Sequence, residues 1–123
     1  MTLPPLILAA LAAFMGAAGV ALGAAAEHAS GGDLGRTAAL FLILHAAAAL
    51  GISAHARLAA ASARGLAAVG FVMEAGAVMF AADLATRAFT GERLFAGAAP
   101  VGGSTMILSW IALGVVFASS TRR

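Results

Sequence analysis

Residues 65–87 read GLAAVGFVMEAGAVMFAADLATR, and this stretch decides how the whole chain is read. It is long enough and apolar enough to cross a bilayer, since about 20 residues at about 1.5 Å each span roughly 30 Å of hydrocarbon. Yet it carries Glu74 near its middle and Asp83 near its end. An ionisable group at the bilayer centre costs at least about 2.5–3.5 kcal/mol on insertion scales. A helix that bears one must turn it toward other protein or toward water. The segment is therefore no isolated anchor; it requires partner helices, and the rest of the chain supplies them.

Composition points the same way. The 123 residues are 63% hydrophobic and only 10% charged, with a mean hydropathy of +1.03. A soluble domain carries about 45–50% apolar and about 25% charged residues. The chain reads as one polytopic membrane domain over residues 1–123, whose first partner is the lipid bilayer. Cysteine is absent, which excludes disulfides, thiolate metal sites and cysteine nucleophiles. The net charge is +2 and no basic patch is interleaved with aromatics, which argues against nucleic-acid binding.

Outward from the central stretch, three more apolar runs are found. The first covers about residues 3–26, with Pro4 and Pro5 in the opening turn, where a helix tolerates proline. Ala24-Ala25-Ala26 imitates a signal-cleavage site, but a basic leader is missing and the run exceeds a signal-peptide core, so a span is expected. The second run covers about 37–56 and the fourth about 100–120; with 65–86 as the third, four spans result. Residues 27–36 and 88–99 read as polar loops, and 57–64 as a short connection. Short connections make sequential helices antiparallel neighbours. The expected fold is all-α, an integral membrane bundle of four antiparallel transmembrane helices.

Both termini and the 57–64 connection share one side, with Arg57, Arg64, Arg122 and Arg123; the other side has Arg36, Arg87 and Arg93. The arginine excess predicts cytoplasmic termini, in a bacterial inner membrane. Ala12, Gly16, Gly19 and Gly23 share one helix face, and Gly102 and Gly103 follow Pro100 at the start of the fourth run. Small residues let backbones approach closely, so the first and fourth helices are expected to pack through Gly16, Gly19, Gly23, Gly102 and Gly103. An anion site at that helix start is the rival use of Gly102 and Gly103.

Depth along each span says which polar groups can meet. At about 1.5 Å per residue, His45, Glu74 and Trp110 all fall within roughly 3 Å of their span midpoints, with Ser109 beside Trp110. Glu74 is expected to point into the bundle close to His45 or Trp110, because a buried carboxyl group lowers its cost by protonating or by accepting hydrogen bonds. This set reads first as a polar knot that fixes helix register, and second as a proton- or cation-responsive site. A second set, Glu27, His28, Asp83 and Arg87, falls near one membrane boundary. Asp83 and Arg87 stand at i, i+4, the spacing of a helix-surface ion pair. His28 with Asp83 or Glu27 is the alternative, a metal site, but no ligand spacing signature supports it and none is expected. Bis-histidine haem ligation needs two histidines at one depth, whereas His28, His45 and His55 occupy three, so no cofactor is expected. Ser104, Thr105 and Ser109 lack a base-and-orienter arrangement, so hydrolytic catalysis is not expected.

Two stretches carry a resemblance. One is Leu22-Gly23-Ala24-Ala25-Ala26-Glu27-His28; the other is Pro100-Val101-Gly102-Gly103 followed by Ser109-Trp110. They resemble the first-helix Leu-Gly-Ala-Phe-Gly-Ala-His motif and the last-helix Pro-x-Gly-Gly and Gly-Trp signature of the small membrane proteins grouped as "domain of unknown function 423". That family is itself similar to the eukaryotic transmembrane-protein-256 family. His45 matches a second-helix histidine of the family. The resemblance implies four membrane helices of unassigned activity and carries over no catalytic residue. Glu74 and Asp83 stand where the family is apolar or serine. Two functions follow as expectations: a non-enzymatic accessory or structural subunit, bound to other membrane subunits or to its own copies, or a small proton- or cation-coupled transporter or channel that uses Glu74.

Overall fold

A computed structural model of the chain describes residues 3–29 and 32–120. It contains four long helices: α1 Leu3–His28, α2 Gly32–Leu58, α3 Ala63–Thr90 and α4 Ala98–Ser120, with a 3-10 turn at Ala60–Ser62 between α2 and α3. Each of the four is long and apolar enough to cross a membrane. Arg122 and Arg123, two of the four arginines expected on the side of the termini, lie outside the described residues.

The helices overrun the apolar runs at most of their ends. Glu27 and His28 close α1, and Gly32 to Arg36 open α2, so most of the expected polar loop at 27–36 is helical. Hydropathy marks the hydrocarbon, whereas a helix continues until its hydrogen bonds are capped. Gly91 supplies such a cap for α3: at φ 77° its N–H donates to the Arg87 carbonyl at 3.0 Å. Only glycine adopts this left-handed conformation without a Cβ penalty.

Packing pairs show the antiparallel order. Along α1 and α2, Gly16 faces Ala46, Gly19 faces Ile43, and Gly23 faces Ala39, so one number falls as the other rises. Ser53 Oγ donates to the Pro5 carbonyl at 2.5 Å and ties the far ends of the same two helices. Helices α3 and α4 cross through Gly76 and Gly102; a Cβ on Gly102 would lie 2.7 Å from both the Gly76 carbonyl oxygen and the Phe80 nitrogen. Helix α3 touches all three others, while no α-carbon of α4 comes within 8 Å of one in α1 or α2.

That arrangement corrects the expected contact between the first and fourth helices. Gly16, Gly19 and Gly23 do form a packing face, but it receives α2. Gly102 packs on α3, and a Cβ on Gly103 would lie 3.8 Å from the Phe80 ring. Small residues state that a backbone comes close without stating which one, and chain order favours the sequential neighbour.

Candidate functional site

His45 is the polar centre of the α2–α3–α4 side. It is buried, and its Nδ1 lies 2.8 Å from the Phe41 carbonyl one turn earlier. Its Nε2 lies 3.2 Å from the Trp110 indole nitrogen. A carbonyl only accepts and an indole N–H only donates, so Nδ1 carries the proton and Nε2 accepts from Trp110. Aromatic rings extend the contact: Phe41 stacks on His45 at 5.8 Å and meets Phe80 at 4.7 Å. His55 and Phe117 meet edge-on at 4.9 Å further along. Side chains thus bridge α2 and α4 where their backbones stay apart. Ser109, beside Trp110, donates to the Thr105 carbonyl of its own helix at 2.8 Å and takes no part in the bridge.

Glu74 does not join this set, contrary to the expectation from depth. It is buried, yet it makes no hydrogen bond to His45, Trp110 or any other described residue, and its Oε1 is wholly enclosed. The reason is rotation about the helix axis. At about 100° per residue, Glu74 points roughly 200° away from Gly76, which faces α4. It lies instead one turn beyond Gly70, whose missing Cβ makes room for Leu8 of α1. Glu74 therefore lines a groove between α1 and α3, floored by Leu42 of α2, with a volume of about 820 Å³. Leu11, Phe14, Met15 and Ala18 form one wall, and Phe71, Ala75, Val78 and Met79 the other. Every lining side chain except Glu74 is apolar.

The second predicted set divides in two. Asp83 and Arg87 form the expected pair, with Oδ2 at 3.2 Å from the guanidinium. Asp83 is buried, and its Oδ1 accepts the Leu94 backbone N–H at 2.9 Å, which fastens the connection after α3 onto the helix. Glu27 pairs elsewhere: Arg36 bridges it at 3.0 Å and Asp33 at 2.6 Å across the α1–α2 turn. His28 is exposed at the end of α1. Among the described residues no three His, Asp or Glu side chains converge in a way that could hold a metal ion.

Nothing in the sequence marked the roles of Phe41 and Phe80 or of the Leu94 N–H. Phe41 stands one turn before His45, a spacing that would have placed both on one face. The groove itself has no signature in one dimension, since its walls come from helices 60 residues apart in the chain.

No curated protein and no solved structure matches the chain. The likeness to the transmembrane-protein-256 family stays a resemblance. A family model described as "Protein of unknown function (DUF423)" matches residues 8–103. That match runs from the first turns of α1, through the buried His45 and the carboxylates of α3, to the glycines that open α4, so the chain belongs to the DUF423 family.

Proposed function

We propose that this protein is a non-enzymatic accessory protein of the membrane that receives a hydrophobic guest from the lipid phase in the groove between α1 and α3. One observation carries the reading: Glu74 is a buried carboxyl group without a hydrogen-bond partner in an otherwise apolar groove. A buried polar group left unpaired costs about 1–3 kcal/mol. A donor supplied from outside the chain removes that cost. Ligand sites have this form, an apolar cleft of about 300–1,000 Å³ with a few placed polar groups. Ser109 satisfies itself on its own helix and has no base beside it, which supports a binding role over catalysis.

A coupled carrier is the second reading, and the same partnerless acid favours it, because intramembrane carboxylates mark ion and substrate paths. In either case we place the protein in a bacterial inner membrane with both termini cytoplasmic, on the arginine excess at that end.

The test is native mass spectrometry of protein released from its own membranes. The wild type is expected to retain a non-covalent adduct. Ala18→Trp fills the groove and should remove it, whereas Val115→Trp, on an exposed position of α4, should leave it. Identical spectra for the three proteins would overturn the reading.

A further inference from the structure

We infer that the guest of the α1–α3 groove is a compact lipophilic cation, held by Glu74 as its counter-charge; this rests on the groove reading above. Four observations converge on it. First, Glu74 is 6% exposed and is the one polar side chain that lines the groove, and no donor of the described residues bonds its enclosed Oε1. Acyl chains fill apolar walls well but offer no donor and no positive charge. In its ionised form Glu74 needs a positive partner, and no Lys, Arg or His lines this groove. A cationic guest supplies one.

Second, the length of the groove limits the size of the guest. Its α1 wall runs from Leu11 to Leu22, about 16 Å, and its α3 wall from Phe71 to Ala85, about 21 Å, at about 1.5 Å per residue. A transmembrane helix packs along roughly 30 Å. The groove covers about half to seven-tenths of that and suits a compact molecule better than a partner helix.

Third, Phe14 and Phe71 line the same groove as Glu74. Aromatic faces attract cations, most strongly where water is excluded. Fourth, the other polar groups at this depth are committed: His45 and Trp110 satisfy each other on the far side of α3. Glu74 is therefore available without breaking the bundle.

The experiment uses two probes of nearly equal size and shape and opposite charge, tetraphenylphosphonium and tetraphenylborate. Binding to the full-length protein in mild detergent is measured by isothermal titration calorimetry, for the wild type, Glu74→Gln and Ala18→Trp. Tetraphenylphosphonium should bind the wild type, bind Glu74→Gln roughly tenfold more weakly, a difference of about 1.4 kcal/mol, and not bind Ala18→Trp. Tetraphenylborate should bind the wild type more weakly than the cation does. Equal binding of both probes, unchanged in Glu74→Gln but lost in Ala18→Trp, would overturn the cation assignment and leave the groove as an apolar site. Equal binding to all three proteins, or none to any, would overturn the groove reading with it.

Discussion

The two sides of α3 carry a polar residue at nearly the same depth, and their treatment is opposite. Toward α2 and α4, His45 spends both ring nitrogens, one on Phe41 and one on Trp110, inside a wall of aromatic rings. Toward α1, Glu74 sits among apolar side chains with an enclosed oxygen and no partner. The α4 side comes to backbone contact at Gly76 and Gly102; the α1 side closes at Gly70 and then opens into the groove that Glu74 lines. A satisfied polar group fixes a structure, whereas an unsatisfied one can take a partner from outside the chain. The difference separates what holds this bundle together from what it offers to its surroundings.

The strongest way to break the comparison is at the closed side. In Gly102→Ala the new methyl meets backbone atoms of Gly76 and Phe80, which cannot rotate away. Overpacking of this kind costs about 1–3 kcal/mol and occasionally more. Thermal unfolding in detergent should show a large loss for Gly102→Ala and almost none for Ala75→Leu, which adds more bulk but projects into the open groove. Equal losses would mean that the two sides are packed alike.

Next come the two polar residues themselves, for which opposite signs are expected. His45→Leu strands the Trp110 N–H and removes the bond to Phe41, at a cost of about 1–3 kcal/mol. Glu74→Met keeps the volume and removes an unpaired buried carboxyl group, so the empty protein should become more stable by a similar amount. Chemical denaturation of both variants beside the wild type reads the two signs directly. Destabilisation by Glu74→Met would show that the carboxyl group has an internal role.

The smallest effect is expected at the α1–α2 turn. Arg36 holds Glu27 and Asp33, but all three side chains are about half exposed or more. Exposed ion pairs contribute about 0–1 kcal/mol. Arg36→Gln should shift the unfolding midpoint little, and that little should vanish in high salt. A loss as large as that of His45→Leu would place this turn with the closed side of α3.

Much of the architecture was legible from the chain itself. Four apolar runs, short connections and a charged residue at mid-span lead to a bundle, because hydrocarbon leaves a backbone few ways to satisfy its own hydrogen bonds. The Asp83–Arg87 pair follows from spacing along one helix, where neighbours are set by the helical repeat alone. Depth matching put His45 and Trp110 at one level, where residues at mid-span on two helices can reach each other, and the two are bonded. It failed for Glu74, and it could not say that Gly16, Gly19 and Gly23 serve α2.

These failures share one physical cause. A sequence fixes the position of a residue along its helix, through the rise of about 1.5 Å per residue, and its angle relative to residues of the same helix. It therefore determined the span count, the depth of each polar group, the glycine faces and the i, i+4 pair. It does not fix the rotation of one helix against another or which helices are neighbours, because these depend on all packed faces at once. Only the tertiary structure decided that the α4 backbone packs on α3 while its side chains reach α2, that Trp110 rather than Glu74 reaches His45, and that a buried acid opens onto an apolar groove between α1 and α3.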